Sequence, residues 1–173
     1  MPSSKVLISS QTLGTSAASV TFSGIPSSYR DLVIKVSSRG SSSGNQQFLV
    51  SFNGAASGSL YSTTELIAEG SSAFSQRVSG YYGVEAYALS NDSGTTANTF
   101  NSVEMYVPSY TVSQNKPVSL FGVKENNSST ANVIDATANL WQSTSAITSI
   151  VITQGAGSFV TGSSFYLYGL LPV

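Results

Sequence analysis

Apolar residues in this chain tend to return at every second position. In Asp31–Arg39, Leu32, Ile34 and Val36 share one face, while Lys35, Ser37 and Arg39 share the other. In Thr99–Val107, Val103, Met105 and Val107 oppose Ser102, Glu104 and Tyr106. Successive side chains of a strand point to opposite faces, so this alternation predicts strands with one buried and one wet face. The pattern predicts about ten strands. They are Lys5–Leu13, Ser19–Phe22, Asp31–Arg39, Gln46–Asn53, Gly80–Ser90, Thr99–Val107, Val118–Glu125, Val133–Leu140, Ile147–Thr153 and Ser164–Leu170. Most are short, rich in Val, Ile, Phe, Tyr and Thr, and bounded by Gly, Asn, Ser or Pro clusters.

Two segments read differently. Leu60–Glu69 places Tyr61, Glu65 and Ala68 at helical spacing and ends at Gly70, which predicts one short helix in a long connection. The closing strand, Phe165-Tyr-Leu-Tyr-Gly169, is apolar or aromatic on both faces, which predicts an interior position or a subunit contact. Gly40–Gly44, Asn91–Gly94 and Glu125–Thr130 read as loop tips. No linker and no composition shift divides the 173 residues, so 1–173 is expected to be one domain. Short strands without helical crossovers predict an all-β, single-domain antiparallel β-sandwich, jelly-roll-like, with at most one short helix.

Composition narrows the function. Only 9% of residues are charged, against roughly 25% in an ordinary soluble domain. Ser and Thr supply 51 of the 173 positions. The chain has no Cys and no His, which removes disulfides, thiolate metal sites, cysteine nucleophiles and the commonest general base. The net charge of −1, with no basic stripe, gives no support for nucleic-acid binding. No apolar run approaches the roughly 20 residues of a membrane helix. Weak net repulsion between copies permits a homo-oligomer, which is expected because few charges mean few desolvation penalties when faces close together.

Candidate chemistry is sparse. No G-x-S-x-G elbow and no phosphate-binding glycine pattern occurs. Glu85 and Glu104 fall in neighbouring candidate strands, where the two carboxyls of a glycosidase could meet. The plainer expectation is two ordinary carboxylates on wet strand faces. Asn91-Asp-Ser93 offers a single carboxylate, fit for a turn rather than a calcium loop. No catalytic residue, cofactor or metal site is expected. The aromatic residues are the remaining class. Tyr81, Tyr82 and Tyr87 fall in one candidate strand and Trp141 at the end of another. Such rings serve interfaces and stack on sugars; alternatively, the tyrosines cover a sandwich edge and Trp141 caps the core.

Three stretches together carry a resemblance: Ala18–Arg39 (ASVTFSGIPSSYRDLVIKVSSR), Leu140–Ile150 (LWQSTSAITSI) and Phe159–Gly169 (FVTGSSFYLYG), with Glu104–Tyr110 (EMYVPSY) matching more loosely between them. They resemble small β-rich virion proteins of tailed bacteriophages, especially those of cyanobacterial and other aquatic hosts. The shared motifs are fold motifs: an Ile-Pro turn feeding a strand, a Trp before the penultimate strand, and a closing Tyr-Leu-Tyr-Gly strand. The resemblance implies a non-enzymatic virion structural protein and brings no catalytic residues. A capsid decoration (cement) protein, clamping capsomers through the major capsid protein as a homotrimer near three-fold axes, is the first expectation. A tail-fibre or receptor-binding module that binds host surface glycans is the alternative. Met1–Ser9 lacks the apolar run of about 7–15 residues of a secretory signal. The expected location is therefore the virion, with the head surface favoured, after assembly in the host cytoplasm and release by lysis.

Overall fold

The computed structural model describes residues 5–44, 46–127 and 132–171. Their strands are β1 (Lys5–Thr12), β2 (Ser19–Ser23), β3 (Asp31–Ser37), β4 (Gln46–Phe52), β5 (Tyr61–Glu69), β6 (Ser72–Tyr81), β7 (Val84–Ser90), β8 (Ser102–Val107), β9 (Lys116–Lys124), β10 (Val133–Trp141), β11 (Ser149–Gln154) and β12 (Ser164–Leu170). They form an eight-stranded sheet in the order β1-β12-β3-β8-β9-β10-β5-β6 and a four-stranded sheet in the order β2-β11-β4-β7. Every strand pair is antiparallel.

The topology is that of an elaborated jelly roll. The eight strands of a jelly roll make two Greek keys, with sheets ordered B-I-D-G and C-H-E-F. Taking β2 as B, the small sheet β2-β11-β4-β7 reproduces B-I-D-G. In the large sheet, β3, β10, β5 and β6 follow C-H-E-F, with the β8–β9 pair inserted between β3 and β10. β1 and β12 extend that sheet beyond β3. The sequence expectation of a jelly-roll-like sandwich therefore holds.

The main core lies between the small sheet and the β12-β3-β8 part of the large one. Val20, Phe22, Phe48, Val50, Phe52, Ile150 and Ile152 from the small sheet are buried against Leu32, Ile34, Val103, Met105, Phe165 and Leu167. Phe159, on the connection before β12, bridges Phe48 and Phe165, with ring centroids 6.3 and 5.0 Å away. Trp141 closes the other end against Phe52 at 5.4 Å. β1 is a sheet-edge strand, and β12 lies inside the sheet between β1 and β3. The outward rings of Tyr166 and Tyr168 on β12 stack on each other at 6.4 Å.

Two sequence expectations are corrected. Leu60–Glu69 is not helical: residues 61–69 form β5, hydrogen-bonded to β10 on one side and β6 on the other. Tyr61, Thr63, Glu65 and Ile67 alternate inward, and the ladders on both edges override a weak helical spacing. Gly70, at φ 57°, opens the turn into β6 instead of capping a helix. The stretch Gly80–Ser90 is not one strand. Tyr81 ends β6 in the large sheet, Tyr82 and Gly83 cross between sheets, and β7 begins at Val84 in the small one.

Candidate functional site

On β10, and in the Thr63–Leu66 part of β5, the usual polarity of a sheet is inverted, whereas β9 keeps Val118 and Leu120 inward between two buried lysines. On β10 the inward residues include Asp135, Thr137 and Asn139, while Ile134, Ala136, Ala138 and Leu140 point outward. On β9 the inward positions at its two ends are Lys116 and Lys124, and Phe121 points outward. On β5, Thr63 and Glu65 are buried and Leu66 is exposed. A strand's period of two ties its faces together: the register that buries Asp135 is the one that exposes Ile134 and Ala136.

The inner face satisfies part of its polar load. Thr63 donates to Asn139 Oδ1 at 2.6 Å, and Asn139 Nδ2 donates to Thr137 Oγ1 at 2.5 Å. Lys116 Nζ donates to the carbonyls of Val112 and Gln114 at 2.8 and 2.5 Å. Lys124 is buried, with the charges of Asp92 and Glu69 acting on it.

The carboxyls are less well provided for. Glu65 on β5 and Asp135 on β10 are diagonal neighbours, because Asp135 pairs with Ile67 and Thr137 with Glu65. Glu85 reaches them from β7 of the opposite sheet. All three are at most 1% exposed. Gln76 Nε2 donates to Glu65 Oε2 at 2.6 Å, and the Tyr87 backbone N–H donates to Asp135 Oδ2 at 3.2 Å. Glu65 Oε1, both oxygens of Glu85, and Asp135 Oδ1 have no hydrogen-bond partner in the protein. Burial, then the charge of Glu65, pushes Glu85 from 4.5 up to about 7. Burial, again followed by the charge of Glu65, pushes Asp135 from 3.8 up to about 7. Burial raises Glu65 too, opposed by the Gln76 hydrogen bond. The cluster is closed to substrate. Among the described residues no three acidic side chains converge closely enough to hold a metal ion.

This placement corrects the reading of Glu85 and Glu104. Glu85 is in the small sheet and wholly buried, so it is neither on a wet face nor an ordinary carboxylate. Glu104 lies on β8 of the large sheet and is half exposed. It sits 2.9 Å from Lys35 Nζ and 3.8 Å from Lys5 Nζ, which hold its carboxyl below the usual range. The two carboxyls are not brought together as a catalytic pair. The aromatic candidates divide as well. Trp141 is 2% exposed and belongs to the core. Tyr82 is exposed, whereas Tyr81 and Tyr87 are half-buried beside the carboxyl cluster, where burial first, and then the nearby carboxylates, raise the pKa of both phenols. Alternation did not reveal the cluster, because Asp135 is flanked by Ile134 and Ala136, which read as the buried face.

The outer face of the large sheet is the main open surface. One row of paired residues crosses all eight strands: Ser10, Tyr166, Lys35, Glu104, Phe121, Ala136, Leu66 and Ser75. Ions and tyrosines occupy the β12-β3-β8 half, and apolar residues occupy the β9-β10-β5 half. Beside this row, Val123, Ile134 and Ala68 form a second apolar row and line a shallow groove. Leu66, Phe121 and Ile134 are 61, 55 and 51% exposed. Isolated exposed apolar side chains are ordinary, but a contiguous patch on one sheet face marks a contact surface. No known family model matches this sequence, and no curated protein is similar to it.

Proposed function

We propose that this chain is a non-enzymatic structural module of a virion, and that it acts as a decoration protein on the head of a tailed phage. The observation that carries this reading is the exposed apolar patch on the outer face of β9, β10 and β5. Their outer face holds Phe121, Ile134 and Leu66 open to water, while Asp135, Thr137, Asn139, Thr63 and Glu65 are buried beneath among apolar residues such as Leu120 and Ile67. A sheet built this way gains by having its outer face covered. The major capsid protein is the proposed cover, and a trimer of this chain is the proposed clamp. The resemblance to small phage virion proteins points the same way. The jelly roll, common in viral capsid and lectin domains, agrees by analogy of fold alone. Closed carboxyls and the lack of His and Cys speak against turnover.

A second reading has its own observation. The stacked Tyr166 and Tyr168, with Lys5 Nζ 5.7 Å from the Tyr168 ring centroid, make an aromatic and cationic surface on the ionic half of the same face. Rings of this kind stack on sugars, as a tail-fibre module binding host glycans requires. Gold labelling of intact virions with an antibody to this chain tests both readings. Label over the head supports decoration. Label confined to the tail replaces it with the glycan-binding reading, and particles without label overturn both.

A further inference from the structure

We propose that Glu65, Glu85 and Asp135 form a proton-held lock between the two sheets, closed while the cluster carries protons and loosened when it ionises. Glu65 and Asp135 alone would be an acidic pair on one sheet. The second observation is Glu85, which enters from the opposite sheet wholly buried, with no partner at good hydrogen-bond geometry for either oxygen and with the Tyr81 phenol and Glu65 close enough to act on it. A buried carboxylate without a partner is costly, whereas a protonated carboxyl is neutral and can donate to a neighbouring oxygen. Buried carboxyl oxygens without partners on both sheets are groups that protons held on the cluster would satisfy.

The walls around the cluster are mostly acidic or neutral, and their buried cation, Lys124, is not among the charges that act on the three carboxyls. β5 adds Glu69, which is acidic. β6 brings the Gln76 amide and the Tyr81 phenol, both neutral near pH 7. β7 brings the Tyr87 phenol, whose pKa is raised by burial and by these same carboxylates. β9 brings Lys124, but the charges that act on it are those of Asp92 and Glu69. No lysine or arginine contributes to the titration of Glu65, Glu85 or Asp135. Ionisation therefore sets like charges against each other in a buried interface, and separating β7 from β5 and β10 relieves them. The Tyr87 N–H bond to Asp135 lies on that seam.

The direction of the pH effect follows. Folded-state values above the unfolded ones mean that the stabilisation is complete below about pH 4 and is lost as pH rises through about 7. Each group that stays protonated raises the unfolding constant about tenfold per pH unit between its two values. Asp31 and Glu104, whose values are lowered, act on the acid side and do not interfere.

The experiment is urea unfolding of the full chain between about pH 5 and pH 8, for wild type and Glu85→Gln, each with added calcium or with EDTA. The expected result is a wild-type unfolding constant that rises at least a hundredfold, on the order of one proton or more per pH unit. In Glu85→Gln the slope falls by about one proton. A flat wild-type profile would overturn the lock. So would stabilisation by calcium at the alkaline end that Glu85→Gln abolishes, because a metal would then be the ligand. If Glu85→Gln does not fold, infrared spectroscopy of wild type decides. A carboxylic-acid carbonyl band near neutral pH that vanishes on alkalinisation supports the lock, and its absence at neutral pH refutes it.

Discussion

Placing one charge in the apolar half of the outer face separates docking from folding. Ala136 lies between Leu66 and Phe121 in the cross-sheet row and points outward. In the free protein, an Ala136→Lys side chain lays its stem along those neighbours and keeps its ammonium in water, so the folding free energy should change by less than about 0.5 kcal/mol. On a covered face the same ammonium is buried without a partner, which costs about 3–5 kcal/mol. The native face stands to gain from being covered. Fully burying a side chain such as Leu66, Phe121 or Ile134 is worth about 1.5–3 kcal/mol. Because 61, 55 and 51% of these residues remain exposed, roughly half of that worth is still available in each, or about 3–4 kcal/mol together. With about 1.4 kcal/mol per tenfold, Ala136→Lys should weaken attachment at least a hundredfold. The assay adds purified protein back to particles stripped of it and measures the bound fraction by sedimentation. Gln142→Lys, on an exposed loop position, controls for charge alone. Equal binding by the two variants would refute the docking face, whatever the fate of the virion reading.

Three further outcomes are expected. Asn139→Ala leaves the buried hydroxyls of Thr63 and Thr137 without their partner and should cost about 2–4 kcal/mol in a urea melt. Gly122→Ala forces a methyl group into Leu89, which crosses from β7 to fill that space, and should cost about 1–3 kcal/mol. Part of that loss should return in the double variant with Leu89→Ala, as a double-mutant cycle will measure. Attachment to the particle should survive raised salt, since the apolar half of the face carries no ion in its central rows and screening weakens only charged contacts.

Alternation worked wherever one face of a strand is the core and the other meets water. β8 follows that rule, and Leu32, Ile34, Val103 and Met105 are buried as read, although β3 also buries Asp31 and Val33 on its other face. It also located β2, β4, β11 and β12 to within a few residues. β5 escaped because Thr63 and Glu65 are its inward residues, which leaves no apolar stripe to read. β6 escaped because it overhangs the small sheet at the edge and is half or fully exposed along its length, so neither face imposes a pattern. The division of Tyr81, Tyr82 and Tyr87 between two sheets depends on the crossover at Tyr82 and Gly83, where no proline or charge marks the break. Glu85 was visible as a residue but not as a buried one, since its depth comes from two strands that are distant in the chain.

The failures of the pattern and the proposed functions share one physical origin. Apolar residues of β9, β10 and β5 point outward, and polar residues of the same strands line the seam with β7. β5 and β10 therefore bury polar side chains on their inward face where β12, β3 and β8 bury apolar ones. A partner on the outer face would hold β5 and β10 in place from outside, while protons on the carboxyls hold them to β7 from inside. Two ligands that favour the same closed state must assist each other by equal free energies. If both proposals hold, bound protein will keep its protons to a higher pH than free protein, and attachment will weaken as pH rises past about 7. A pH-independent attachment constant in that range would show that the seam and the face act separately, even with each proposal sound on its own.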